Sequence, residues 1–156
     1  ALPPDVVVPS MAASNLRDRE AAQAAVGRVL ERLGRPKRVG LVIADPVVKV
    51  SIVRLQQVPA RAQDLDQVIR WQVRKSAPFP LEDAQVSYVP GARVESGQDF
   101  VVTVARRTAI ADYESVCAAA GAHAGIVDLS TLNVVNTILA GGRTGGDWLL
   151  VNVAPD

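Results

Sequence analysis

The chain has 156 residues, 49% of them apolar and 21% charged, and a formal net charge of +1. That length suits one domain able to bury roughly 68–70% of its unfolded surface, and the charge balance gives no overall electrostatic case for nucleic acid or anionic lipid. One cysteine excludes an intramolecular disulfide, and no apolar run approaches the ~20 residues that span a bilayer.

The opening ALPPDVVVPS lacks the charged and long apolar regions of a signal peptide, so a cytosolic or cytosol-facing protein is expected. It starts with Ala rather than Met, as expected of a piece of a longer chain. Residues 1–15 read as an extended lead-in, with Val6, Val7 and Val8 as a short strand. Asn15 reads as an N-cap, with Asp18 and Glu20 supplying negative charge in the first turn. Ala22, Val26, Val29, Leu30 and Leu33 recur at helical spacing, and Gly34 closes the helix.

RVGLVIA (38–44) is a buried-strand candidate. Asp45 and Pro46 turn the chain, and VVKVSIVRL (47–55) follows, so the two strands read as a hairpin. Asp64 then caps a second helix whose buried stripe is Leu65, Val68, Ile69 and Val73, with Arg70 and Arg74 outward. The helix runs into a Pro-Phe-Pro corner. Pro78 and Pro80 cannot continue a helix, and Phe79 between them reads first as a packing bolt.

Ala84, Val86 and Tyr88 alternate with Gln85 and Ser87 as a strand, a polar turn covers Gly91–Gln98, and DFVVTVARR (99–107) is the partnering strand. A third helix spans about Ala109 to Ala120 and stops at Gly121. AGIVD (124–128) is a short strand, and a fourth helix runs from Leu129 to about Leu139. The glycine-rich loop 141–146 leads to a last strand over 147–154. The pattern predicts an α/β (α+β) fold, a mixed sheet packed by about four helices.

No catalytic constellation emerges. Cys117 lies on an apolar stripe, where a small buried hydrophobe is the better account than a nucleophile, and His123 reads as a surface loop residue. No cluster of His and Cys supplies a metal site. The loop GGRTGG sits between helix and strand with no Lys after it, so it does not meet the order a phosphate loop requires.

Read together, RVGLVIAD, VKVSIVRLQQVP, VIRWQVRKSAPFPLEDAQVSY, FVVTVARRTAIADYESVCAAAG and IVDLSTLNVVNTILA resemble, in order and spacing, the PilM family of actin-like type IV pilus assembly proteins. The resemblance spans about Leu2 to Val153. It implies a fragment of an actin-like (ribonuclease H-like) lobe: a lead-in over 1–15, a small inserted α/β subdomain over 16–128, and over 129–156 the returning helix and first strand of the second lobe. It also implies an interlobe nucleotide site, with ATP and Mg in a full-length protein and no cofactor in this piece. Where the family pattern has Asp-Ile-Gly, this chain has Asn152, Val153 and Ala154. A neutral Asn organises a metal poorly, and a Cβ on Ala154 restricts the glycine turn. A degenerate site and an adaptor role are therefore expected, the rival being an active ATPase.

The expected partner is the cytoplasmic peptide of a PilN-like inner-membrane protein, held in a groove between the small subdomain and its neighbour. The protein would then be peripheral to the inner membrane. Trp71, Arg74 and Phe79 are candidate partner-binding residues, against the reading that Trp71 and Phe79 are core. Homodimerisation through the exposed edge of residues 147–154 is a further expectation. A GspL-like type II secretion domain is the alternative within the same superfamily.

Overall fold

The computed structural model describes residues 2–142, 146 and 149–151. The elements run α1 (Arg19–Arg32), β1 (Arg38–Ile43), a 3-10 turn (Asp45–Val47), β2 (Val48–Leu55) and α2 (Ala62–Arg74). A second 3-10 turn (Leu81–Asp83) then precedes β3 (Ala84–Val94), β4 (Gly97–Arg106), α3 (Arg107–Ala119), β5 (His123–Leu129) and α4 (Ser130–Ala140). Four helices accompany both parallel and antiparallel strand pairs. The two kinds of pairing are divided between two sheets: β1 pairs with β5 in parallel, and β2-β4-β3 is antiparallel.

The hairpin expected of β1 and β2 does not form. Parallel strands need a long crossover, and the one from β1 to β5 contains the whole three-stranded sheet, α2 and α3. Apolar strands one turn apart cannot reveal that they face different partners. Nor is β1 a buried strand: only Ile43 is buried and Val42 is exposed.

Alternation explains the three-stranded sheet. Successive strand residues point to opposite faces, and α2 covers the face carrying Leu55, Phe100, Val102, Val104, Ala84 and Val86. Ile69 and Val73 of the helix and Phe79 of the proline corner complete this core. Phe79 is 7% exposed, and the Arg106 guanidinium lies 4.9 Å from its ring centroid, a cation–π contact on a buried ring. Truncating such a ring to Ala costs about 3–5 kcal/mol, so the corner is a packing bolt. Trp71 differs: it is 65% exposed, which overturns its reading as core.

The β3–β4 turn is shorter than the predicted Gly91–Gln98, because β3 continues to Val94 and β4 starts at Gly97. Gly97 has φ +141°, and a Cβ there would stand 2.2 Å from the Leu55 carbonyl oxygen, so only glycine fits. Two helices end on glycine in the same way. After α1, Arg35 N–H donates to Leu30 O and Gly34 N–H to Glu31 O; after α3, Ala122 N–H donates to Cys117 O and Gly121 N–H to Ala118 O. Both are Schellman closures that satisfy the last carbonyls.

The helix starts depart from expectation. Asp18, not Asn15, caps α1, its carboxylate accepting from Ala21 N–H at 2.9 Å. Arg61 stands at the N-cap of α2 without a side-chain bond, so Asp64 lies inside the first turn. On α1, Ala22 and Leu30 are buried while Val29 and Leu33 are exposed. His123 opens β5 instead of lying in a loop, and Arg70 is tied to Asp66 along α2 at 2.7 Å.

Asn15 has a different task. It is fully buried, and its Oδ1 accepts from Ser10 N–H at 2.7 Å and from the Tyr113 hydroxyl at 3.2 Å. Its Nδ2 donates to the carbonyls of Ser10 and Ala13. Every hydrogen-bonding position of the amide is used, and the network ties the lead-in to α3. The isolated Val7–Leu16 bridge is the only β pairing made by residues 6–8.

Two outcomes follow. Asn15→Ala removes all four hydrogen bonds of a buried amide, two of them to Ser10, and is expected to cost about 2 kcal/mol, lowering Tm by about 4–8 °C. Asn15→Asp, which turns an oxygen towards two carbonyls, should cost at least as much, as thermal melts will show. On the open face of the three-stranded sheet, Arg54 Nε meets Asp99 Oδ1 at 2.6 Å and Arg54 Nη2 meets Oδ2 at 2.9 Å. The hydrogen bonds and charge of Arg54 hold the Asp99 carboxyl below its ordinary value, against a smaller opposing effect of burial. A carboxylate depressed in the folded state adds stability above its unfolded pKa, and that stability is lost as pH falls through the folded value. The gap in urea midpoint between the protein and Asp99→Asn should be constant above about pH 5 and shrink below it.

Candidate functional site

The face of the three-stranded sheet turned away from α2 is open beyond its first row, where Ala105 is buried and Val48 packs against the Val47 core, and the strand register places its side chains in rows. Val48, Ala105 and Gln85 form the first row, Val50, Thr103 and Ser87 the second, and Ile52, Val101 and Val89 the third. The Arg54–Asp99 ion pair closes the fourth. Each row is two residues, or about 6.8 Å, along the strand from the next. The third row is wholly apolar and open to solvent, with Ile52 70% and Val89 57% exposed.

The first two rows run into a groove of about 360 Å³. Two tight passages create it. The chain crosses from β1 to β2 through the single turn Asp45–Val47, and from β4 to α3 with no linker at all. Val47 is fully buried against Ile43, Ala109 and Leu129, fastening both passages together. Asp45 adds a polar tie, accepting from Thr131 N–H at 3.1 Å and Thr131 Oγ1 at 2.6 Å at the start of α4. The two sheets are thus tied together at one end.

One wall of the groove is α3, which presents Arg107, Ile110, Ala111 and Glu114. These sit at i, i+3, i+4 and i+7 and so share one helix face. Arg107 Nη2 donates to the Ala84 carbonyl at 3.0 Å. The other wall is β5, where Ala124, Gly125, Val127, Asp128 and Leu129 line the space. Near-contiguous lining by a strand means that its edge as well as its side chains faces the groove. β5 pairs only with β1 among the described residues, so that edge has unpaired backbone N–H and C=O groups. Asp128 accepts from its neighbour Leu129 N–H at 2.8 Å. The groove therefore offers a floor of Val48 and Ala105 beside the polar Gln85, Ser87 and Thr103, a strand edge, two carboxylates and one partly engaged cation.

The predicted site residues fall elsewhere. Trp71 and Arg74 are exposed on α2, on the covered side of the sheet, and Phe79 is inside its core. The structure brings none of the three into the groove. Asn152 and Ala154 lie outside the described residues; of the expected last strand over 147–154, only residues 149–151 are described, and they form no strand. The groove residues carried no motif. Their one sequence signal was alternation in β2, β3 and β4, which leaves apolar residues on the face turned away from α2.

Cys117 is buried, and burial together with the Glu114 charge pushes its thiol up, away from the reactive thiolate. No group of three or more His, Cys, Asp or Glu side chains is placed to hold a metal. No helix among these residues is long and apolar enough to cross a membrane.

No family model matches the sequence, and no curated protein matches it. Among solved structures, the chain is similar to one from a PilM–PilN type IV pilus biogenesis complex, with a TM-score of 0.74 at 19% sequence identity. The similarity covers 89% of this chain and 41% of that one, so the present chain spans about two-fifths of the solved chain's length. At this identity the likeness is one of fold: the four helices with parallel and antiparallel sheets form a fragment of an actin-like arrangement.

Proposed function

We propose that the protein is an assembly adaptor of type IV pili that holds a short extended peptide from a PilN-like inner-membrane protein, and that the peptide lies in the groove between the three-stranded sheet and the α3–β5 wall. The observation that carries this reading is the coincidence of an open strand edge, β5, with a mixed floor of Val48, Ala105 and short polar side chains that continues onto the exposed Val50 and Ile52 of the sheet. An added strand gains main-chain hydrogen bonds from the edge, and its alternate side chains supply selectivity. The similarity in fold to a chain of a PilM–PilN complex supports the choice of partner. On this reading the chain works at the inner membrane through its partner.

The rows suggest what the peptide should look like. Apolar side chains would sit on the first and third rows, with small or polar ones over Thr103 and Ser87 between them. The Arg54–Asp99 pair would end the footprint, limiting the sheet contact to about three rows, or ~14 Å from the first to the third. Glu114 and Asp128 favour a peptide that brings positive charge to the α3–β5 wall. A nucleotide has no part in this role, in keeping with the neutral Asn152 and the Cβ of Ala154.

Ser87 and Ala111 line the groove and are exposed, so they can be enlarged without disturbing either core. A synthetic peptide covering the cytoplasmic N-terminal segment of a PilN-like protein should bind the chain in calorimetry. Ser87→Arg and Ala111→Arg should each weaken that binding by at least about tenfold, which corresponds to 1.4 kcal/mol, while Trp71→Ala leaves it unchanged. The opposite result, with loss at Trp71→Ala or Arg74→Ala and none in the groove variants, would move the peptide to α2 and defeat the proposal.

A further inference from the structure

The outer side of α2 ends in a patch that internal packing does not explain. Trp71, Gln72, Arg74 and Lys75 line a shallow depression of about 430 Å³. Trp71, Arg74 and Lys75 stand at i, i+3 and i+4, so they share a face, and Ile69 and Val73 hold the opposite one in the core. Arg70, one residue before the indole, is tied to Asp66. Arg74 and Lys75 make no ion pair or hydrogen bond among the described residues. A third cation stands beside the same helix end, where Lys49 Nζ donates to the Ser76 carbonyl at 2.6 Å. Cations suit a helix C-terminus because of its negative dipole end. That accounts for the charges and leaves the exposed indole unexplained.

We propose that this patch is a contact for an anionic lipid surface. An indole has an apolar body and one polar N–H, which suits the boundary between headgroups and acyl chains. Cations beside it add attraction to anionic headgroups, roughly fivefold in partitioning for each Lys or Arg near the surface. The net charge of +1 shows that this attraction is local, not a property of the whole chain. The patch stands on the outside of a helix, and its depression is lined by four side chains of that helix alone. Among the described residues it has no second wall and no strand edge, the features that hold a peptide. It lies on the opposite side of the three-stranded sheet from the groove, so occupation of one leaves the other free.

The test uses the whole chain with large vesicles of equal parts phosphatidylglycerol and phosphatidylcholine, and with vesicles of phosphatidylcholine alone. In a Trp148→Phe background, Trp71 emission should shift to the blue on anionic vesicles and stay in place on neutral ones. Partitioning onto anionic vesicles should fall by at least about tenfold in R74Q/K75Q and should also fall in W71A. The charge-matched pair R28Q/R32Q on α1 should leave it nearly unchanged. Equal losses in both charge-removed pairs would mean non-specific attraction and overturn the proposal. So would binding of polyglutamate at Trp71 without vesicle binding, which would assign the patch to an acidic peptide.

Discussion

The burial of one face of the three-stranded sheet by α2 is the constraint on which the rest of the structure depends. Ile69, Val73 and Phe79 close that face against Phe100, Val102 and Val104, with every one of these side chains buried. Strand alternation then makes the other face inevitable. Its residues are still largely apolar, and beyond the row of Val48 and Ala105, which packs at the crossing into α3, Val50, Ile52 and Val89 stay exposed. A sheet covered on one side is stable enough to stand. The uncovered side is where function can be placed.

The groove is the meeting of that face with the parallel pair β1–β5. Its walls are held by residues that never touch its interior: Val47 packs the two crossings together, and Asp45 fixes the start of α4. Rigid walls matter for holding a peptide, because a preformed site spares the cost of ordering the receptor as well as the ligand. Nothing in this arrangement requires a reactive side chain. The buried Cys117 fits a structural role, and the lead-in is fastened through Asn15 to α3, the helix that forms one wall.

Most elements were legible in the sequence because each depends on local physics. The helical stripe with Ile69 and Val73, the Pro-Phe-Pro stop, the glycine endings at Gly34 and Gly121 and the strand around Val102 all follow from periodicity, proline sterics or positive φ. What failed was non-local. Ile43 and Val48 are near neighbours in sequence but enter different sheets, a choice made by β5 some eighty residues later. Asn15 looked like a cap because Asn favours caps; its long-range bond to Tyr113 gave it a core position instead. The candidate site was the least legible part. Trp71, Arg74 and Phe79 were conspicuous by residue type, whereas the groove consists of ordinary residues such as Ser87, Thr103 and Ala111 that matter only through where the register and the helix face place them.

The order of motifs in the chain and its similarity in fold to a chain of a PilM–PilN complex point in the same direction, although no family model matches the sequence. Peptide addition to β5, as proposed, has a backbone signature independent of side-chain substitution. Amide hydrogen exchange with and without the PilN-like peptide reads it directly. The account predicts new protection at β5, within Ala124–Leu129, with α2 unchanged. Protection confined to α2 and the residues around Trp71, with β5 exchanging as before, would contradict it.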